Sequence, residues 1–155
     1  MLLFSEKYVE ELFVSLGIGR EYASIVANVL VKAVLMDISS HGVQRARRYI
    51  DSFRPSNIEP NNESVIMSEV GAVAVIDAKK GFGQVAGVEA IELSVEKAGI
   101  YGVSVVAVRN SNLFGIAGYY PLRAVKKGYI GIAATNSRPL VAYTHTMDKT
   151  PVQTL

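Results

Sequence analysis

The chain has 155 residues, of which 50% are hydrophobic and 19% are charged, a composition that excludes intrinsic disorder and suffices for one ordinary domain or two small ones. With 16 lysines and arginines against 14 acidic residues, the formal charge of +2 is too balanced to imply nucleic acid or an anionic membrane as the main partner. The lack of cysteine excludes disulfides, thiolate catalysis and cysteine-based zinc sites. No signal-peptide pattern and no apolar run of membrane-spanning length is found, so we expect a soluble, cytoplasmic protein.

Three helices are predicted in the first third of the chain. Apolar residues recur at helical spacing from Ser5, a potential cap, to about Leu16, and the glycines at 17 and 19 end this helix. A broad apolar stripe predicts a second helix from about Arg20 to Asp37. A third helix is predicted from His41 to Phe53, because it must end before the Arg-Pro step that follows.

After residue 63 the apolar period changes from that of a helix to that of strands. The predicted elements are a hairpin of strands over 64–67 and 72–77, a helix from about Gly83 to Gly99, a buried strand over 103–108, a helix over 114–127 and a strand over 130–135. The order is three helices and then β-β-α-β-α-β. This order predicts an α/β protein, with an amino-terminal helical lobe followed by a mixed α/β sheet domain.

The elements suggest four parts. They are a helical lobe over residues 1–54, a linker over 55–63 with two prolines and three asparagines, a partial α/β domain over 64–142, and a tail over 143–155 that shows no period. Because no helix returns after the last strand, we expect the α/β domain to be incomplete.

The stretch Ser39–Arg45 combines a histidine, a glycine and an arginine where the third helix is predicted to begin. On a helix, Arg45 lies one turn beyond His41 on the same face, so a proton donor and a cationic anchor could face one small anion such as a keto or hydroxy acid. Arg48 would lie about two turns beyond the histidine. The alternative is that Ser39 or Ser40 caps the helix and that the histidine is partly buried, and spacing alone favours this alternative.

Three further features have two interpretations each. The segment Gly81–Gly87 follows a strand and enters a helix, but its glycine spacing departs from the dinucleotide fingerprint, so we predict a tight turn with close helix packing. Asn110–Asn112 lies at the carboxyl end of a strand and either holds a substrate or caps the next helix. Asp37 either orients the ring of His41 or caps the third helix. No set of histidine and carboxylate residues has metal-ligand spacing, so no metal site is predicted.

Taken together, these segments resemble the malate/L-lactate dehydrogenase family that is distinct from the Rossmann-fold lactate and malate dehydrogenases and includes sulfolactate, ureidoglycolate and diketogulonate-type enzymes. The matching segments are Asp37–Arg45 with Tyr49, Gly81–Gln84, Gly102–Asn112, Phe114–Tyr120, Gly128–Ala133 and Thr135–Ser137. The resemblance covers about residues 5–142. It implies a fold like that of sulfolactate dehydrogenase, interconversion of 2-oxo and 2-hydroxy acids with NAD or NADP as cofactor, and a homodimer.

The resemblance also implies roles for single residues. The histidine that matches His41 is placed to protonate the substrate carbonyl oxygen, and the arginine that matches Arg45 to hold the substrate carboxylate. An imidazole exchanges protons near neutral pH and a guanidinium can bind a carboxylate with two hydrogen bonds, so both roles suit the residue types. The remaining predicted contacts are those of Ser40 and Asn112 with the substrate and those of Asn136 and Ser137 with the cofactor.

The chain departs from the family pattern in two ways. The family usually has a histidine where this chain has Leu113, and leucine cannot transfer a proton, which leaves His41 as the predicted acid. Family members are also more than twice as long. We therefore interpret the chain as a truncated form covering roughly the amino-terminal half of the family fold. We expect either an oxidoreductase or a non-catalytic remnant that binds an organic anion or a partner subunit. A nucleic-acid module is a third interpretation, which rests only on Arg45, Arg47 and Arg48.

Overall fold

The computed structural model describes residues 2–53, 58–136, 141–142 and 149–150. The chain forms two compact units, residues 1–116 and 117–155, which are described in turn. The domain limits predicted at residues 54, 63 and 142 stay predictions. Among the described residues, none of the helices combines the length and the apolar character that a membrane span requires.

Helices dominate the start of the first unit. They are α1 (Leu2–Ser15), α2 (Arg20–Leu35), two 3₁₀ turns (Ser39–His41 and Val43–Arg45) and α3 (Ala46–Phe53). The first two helices confirm the apolar periodicity. The predicted cap at Ser5 is wrong, because α1 begins three residues earlier and Ser5 lies inside it.

Left-handed residues end the first two helices. Gly17 has a φ of +87° and ends α1, as predicted. Asp37 has a φ of +59° after α2, and the next amide, that of Ile38, donates to the Ala33 carbonyl at 2.9 Å. Asp37 therefore ends the second helix, and the prediction that it caps the third is wrong.

The core of the first unit lies where α1, α2 and α3 meet the start of α4 (Gly83–Tyr101). Phe13 and Phe82 meet edge to face with ring centroids 6.2 Å apart, and Tyr49 packs on Phe82 with centroids 6.1 Å apart. Aliphatic side chains fill the rest of this cluster, among them Val9, Ile18, Val26, Leu30, Ile58 and Val85. The core therefore joins the predicted helical lobe to the first helix of the predicted α/β part.

A three-stranded sheet follows, with β1 (Val65–Val70), β2 (Val73–Asp77) and β3 (Val105–Arg109) in the order β1-β2-β3. The first two strands form the predicted antiparallel hairpin, and β2 pairs with β3 in parallel. β3 was predicted to be buried, but its residues alternate between exposed and half-buried, with Val105 61% exposed. The prediction is wrong because α4 packs against only one face of this sheet.

Lysine 97 anchors α4 to the hairpin. Its side chain is nearly buried, and its ammonium group donates to the Gly71 carbonyl at 2.7 Å and lies 2.8 Å from Glu69 Oε1. The helix runs to Tyr101, two residues beyond its predicted end, and Gly102 ends it with a φ of +79°. A charged side chain thus fixes the helix to the turn of the hairpin.

Residues 58–63, the described part of the predicted linker, are held to other parts of the first unit by side-chain hydrogen bonds. The Asn61 side chain donates to the Gly17 carbonyl at 2.9 Å and accepts from the Gly19 amide at 3.0 Å. The Asn62 side chain donates to the Lys79 carbonyl at 2.8 Å. Two neighbouring asparagines therefore tie the turn after α1 to the loop after β2.

The second unit contains α5 (Tyr119–Lys126), which begins five residues later than predicted. The left-handed conformation of Gly115 (φ +83°) rules out the predicted start at residue 114, and Pro121 falls in the first turn, where proline is tolerated. Gly128 ends the helix with a φ of +84°, as predicted.

The strand predicted over 130–135 is wrong. Within the described residues of this segment, only Thr135 forms an isolated bridge, and Ile130 and Ile132 are 95% and 82% exposed. The β-branched pattern gives a preference for extended structure, but a strand also requires a neighbour. The short pair β4 (Val141–Ala142) and β5 (Lys149–Thr150) is antiparallel, and the rest of the predicted tail lies outside the described residues.

Candidate active site

Gly42 shapes the segment that bears the predicted catalytic residues. It is extended (φ −87°, ψ −159°) and separates the two 3₁₀ turns, so the continuous helix predicted from residue 41 is wrong. A Cβ at this position would lie 2.5 Å from Val34 Cγ2 and 3.3 Å from the Ser39 carbonyl oxygen. A side chain at this position would force Val34 to shift, whereas glycine lets the chain pass this close to α2. Neither 3₁₀ turn is capped by a side chain, which also makes the predicted serine cap wrong.

Ser40 contacts both predicted functional side chains. Its hydroxyl lies 3.0 Å from Nδ1 of His41, and its carbonyl oxygen accepts a hydrogen bond from Nε of Arg45. Within the described ranges, His41 Nε2 and the terminal nitrogens of Arg45 have no hydrogen-bond partner. The break at Gly42 thus replaces the predicted single helix face with a folded segment, and this segment still brings Ser40, His41 and Arg45 together.

The histidine is half-buried and its charge is disfavoured. Burial, and then the nearby Arg45 guanidinium, hold the pKa of His41 below its ordinary value. The neutral imidazole therefore predominates at neutral pH and can accept a proton at Nε2. An anion bound at Arg45 would offset the guanidinium charge and favour the protonated form.

The loop after β3 lies against the loop after β2. Asn112 donates from its side-chain amide to the carbonyls of Lys80 at 2.7 Å and Gly81 at 3.2 Å. No helix begins between the end of β3 and Tyr119, so the prediction that Asn110–Asn112 caps a helix is wrong. The two loops border an open polar cleft of about 610 Å³. Asn112 lines this cleft, and its contact with substrate stays a prediction.

The glycine-rich segment is the predicted tight turn. A Cβ on Gly83 would lie 2.1 Å from the Asn112 carbonyl oxygen, and one on Gly81 would lie 2.9 Å from the Ala78 carbonyl oxygen. Protein backbone therefore occupies the place where a dinucleotide fingerprint would receive a pyrophosphate. The glycines allow the loop after β2 and the loop after β3 to pack closely against each other.

Asp77 organises the edge of the cleft, a role that sequence reasoning missed. Its carboxylate accepts from the Lys79 amide at 2.8 Å and from the Asn110 side chain at 2.8 Å, and it pairs with Arg109 at 3.4 Å. The first of these bonds is the main cause that holds the pKa of Asp77 below its ordinary value. An aspartate that ends a strand and precedes a turn is a signal for such a bond to the amide two residues on.

The remaining predicted site residues, Asn136 and Ser137, belong to the last part of the chain. Asn136 is exposed and belongs to the second unit, and Ser137 lies outside the described residues. His145, the other histidine, also lies outside them. Leu113, which stands where the family usually has histidine, is 40% exposed.

Comparison with known proteins identifies a family. The family model for malate/L-lactate dehydrogenase matches residues 5–151. The chain is 49% identical over 142 residues to a malate dehydrogenase from Pyrococcus abyssi and 43% identical over 137 residues to an L-sulfolactate dehydrogenase from Methanocaldococcus jannaschii. These alignments cover 92% and 88% of this chain.

Solved structures agree with this result. The sulfolactate dehydrogenase of Methanocaldococcus jannaschii superposes with a TM-score of 0.89 and the malate dehydrogenase of Pyrococcus horikoshii with 0.88, each at 41% identity. Each superposition covers 94% of this chain and 42% of the solved chain. The chain spans 39% of the Pyrococcus abyssi relative and 40% of the sulfolactate dehydrogenase. The fold is thus part of the mixed α/β fold of these enzymes, and the chain belongs to the malate/L-lactate dehydrogenase family.

Proposed function

We propose that this chain provides the substrate-binding part of an NAD- or NADP-dependent dehydrogenase that interconverts a 2-oxo acid and a 2-hydroxy acid. The observation that carries the proposal is the grouping of Ser40, His41 and Arg45. It places a proton-exchanging ring beside a guanidinium whose terminal nitrogens have no partner among the described residues. Relatives described as malate, sulfolactate and hydroxycarboxylate dehydrogenases support the same class of reaction.

The geometry suggests how these residues act. The terminal nitrogens of Arg45 bind the substrate carboxylate, and Nε remains bonded to the Ser40 carbonyl, which fixes the guanidinium plane. His41 exchanges a proton with the substrate oxygen at Nε2. Its Nδ1 is bonded to the Ser40 hydroxyl, which orients the ring and leaves Nε2 as the nitrogen that faces the substrate. Ser40 and Asn112 are the further proposed substrate contacts.

A nicotinamide cofactor, when bound, supplies or accepts the hydride at the substrate carbon. The described residues fit the nicotinamide end of this cofactor, because Asn136 is exposed and its side chain offers both a hydrogen-bond donor and an acceptor. We assign Asn136 and Ser137 to this contact. The crowded Gly81–Gly83 turn does not fit its pyrophosphate.

Fluorescence titration with NADH and NADPH, followed by a turnover assay with 2-oxo acids, tests the proposal. The wild-type chain should bind one of the two nucleotides, and His41→Ala should remove turnover and retain nucleotide binding. Failure of both nucleotides to bind at millimolar concentration would exclude catalysis by this chain. Normal turnover by His41→Ala would show that the assignment of the acid is wrong.

A second candidate function is a non-catalytic chain that binds an organic anion or a partner subunit. Leu113 favours it, because a leucine in the loop beside Asn112 removes a second proton-transfer group. The variant Leu113→His separates the two functions. A gain of turnover in Leu113→His would exclude the non-catalytic function. Anion binding without turnover in both the wild-type chain and this variant would support it.

A further inference from the structure

A buried polar pair joins α3 to the start of α4. Gln84 is completely buried and Tyr49 is 3% exposed, and Gln84 Nε2 donates to the Tyr49 hydroxyl at 2.6 Å. Among the described residues, Gln84 Oε1 has no hydrogen-bond partner. Both residues belong to segments noted in the sequence, but sequence reasoning assigned neither a role.

Stability alone does not explain a glutamine here. A buried amide with one unpaired atom destabilises the fold, and exchanging the amide oxygen and nitrogen only moves the unpaired atom. A leucine would fill much of the same volume without an unpaired amide oxygen, although the Tyr49 hydroxyl would then lose its partner. A buried residue that costs stability is a candidate for a functional role.

The pair lies between two predicted substrate contacts. Tyr49 follows Arg45 by four residues, and the charge of Arg45 acts on its phenol. Gln84 directly follows Gly83, whose backbone presses against the carbonyl of Asn112. A change in the hydrogen bond between Gln84 and Tyr49 would therefore affect both the Arg45 guanidinium and the loop after β3.

The phenol is also held in its neutral form. Burial raises the pKa of Tyr49 more than the bond from Gln84 and the charges of Arg45 and Arg48 lower it. A neutral phenol beside a guanidinium keeps its proton and does not form an ion pair with it. The Arg45 guanidinium is therefore not neutralised by a phenolate at Tyr49.

We propose that Tyr49 and Gln84 are positioning residues, which lock α3 to the start of α4 and so hold Arg45 in register with the loop of Asn112. This inference rests on the proposed function, because Arg45 is the carboxylate anchor there. Neither residue touches the substrate. They lower the mobility of the Arg45 side chain and thereby raise the affinity of the chain for a 2-oxo acid.

Two measurements on the 155-residue chain test the inference. Calorimetric titration with oxamate, a 2-oxo acid mimic, reports the affinity of the anchor, and NMR hydrogen exchange at Arg45 Nε reports how firmly the guanidinium is held in the free protein. The variants are Gln84→Leu, Tyr49→Phe and their combination. Tyr120→Phe is the matched control, because Tyr120 is equally buried but lies outside α3 and α4.

We expect Gln84→Leu to bind oxamate about five- to tenfold more weakly and to exchange the Arg45 proton faster. Tyr49→Phe should act alike, and the double variant should lose no more than either single variant, as for two residues that act as a unit. Tyr120→Phe should bind as wild type does. Tyr49→Phe keeps the ring packing and tests the pair even if Gln84→Leu does not fold.

The outcomes separate the two proposals. Unchanged Arg45 exchange in both folded variants overturns the positioning role, and so does wild-type oxamate affinity in both. In another outcome, the wild-type chain binds no oxamate while hydrogen exchange at Arg45 Nε is faster in both Gln84→Leu and Tyr49→Phe. In that case Tyr49 and Gln84 do hold Arg45, but the proposed function is wrong. If wild type binds no oxamate and exchange is unchanged, both proposals fail.

Discussion

His41 is held in a setting that resists its protonation until an anion arrives. Burial is the larger cause of its lowered pKa and the Arg45 charge the smaller. Because the folded pKa lies below the unfolded one, the unfolded chain binds more protons between the two values. The contribution of this residue to folding stability is therefore complete above the ordinary histidine pKa and is lost as the pH falls through the lowered pKa.

Removing the neighbouring charge should raise the pKa of His41. We expect Arg45→Gln to move the NMR titration midpoint of the His41 ring upward, toward its ordinary value, because only burial then opposes the charge. Arg47→Gln is the control, since Arg47 is exposed and lies 3.8 Å from Asp51. The spectrum is simple, because the only other ring belongs to His145. An unchanged midpoint in Arg45→Gln, or an equal rise in Arg47→Gln, would contradict this cause.

Residue types could be predicted from the sequence at this site, but their geometry could not. The pairing of a proton donor with a cation follows from His41 and Arg45 alone. The contact between them was expected along one helix face, whereas it arises because Gly42 is extended and turns the chain over α2. That requirement comes from Val34, a residue of another element, and no local pattern contains it.

At the scale of elements, the turn after β2 stores backbone strain. Lys79 and Lys80 have φ values of +46° and +63°, and the Gly81 amide closes the turn on the Ala78 carbonyl at 2.6 Å. This is the turn type that usually takes asparagine and glycine. The amides and carbonyls of both lysines are hydrogen-bonded, which holds the strained conformation in place.

Glycine in this turn should therefore stabilise the protein. We expect Lys80→Gly to raise the free energy of unfolding by about 0.5–1 kcal/mol, because a left-handed residue with a Cβ is strained and glycine is not. Lys32→Gly, in the interior of α2, should lower it by about 1 kcal/mol through the helix preference of lysine. Urea denaturation of the two variants measures both. A loss of stability in Lys80→Gly would mean that the Lys80 side chain stabilises the fold by more than its left-handed backbone conformation destabilises it.

The elements that were predicted well depend on short-range pattern. The apolar spacing of α1 and α2 and the hairpin of β1 and β2 are properties of continuous segments, and the structure confirms them. The burial of β3 and the strand over 130–135 failed because both depend on what lies beside the segment. Periodicity reports which face is apolar, but it does not report whether a neighbour covers that face.

At the scale of the whole molecule, the sheet has one bare apolar face. Strand pairing places Val70 opposite Val73 and Val73 beside Val105, so the three side chains form one row across the sheet. They are 76%, 50% and 61% exposed. β3 is also the edge strand beyond β2 in this sheet. An apolar row that ends at an open edge is a surface on which two copies of a chain can pair.

We therefore expect this chain to self-associate with increasing concentration through that row, alongside the homodimer that the family resemblance implies. Val105→Thr should weaken the association, because it adds a hydroxyl to the row and keeps the β-branched shape that suits a strand. Val125→Thr is the control, since Val125 is 57% exposed but lies on α5. Light scattering over a range of concentrations measures the mass. If the wild-type chain stays a monodisperse monomer throughout, the bare face does not bind a second copy, and equal weakening by both variants would place the contact elsewhere.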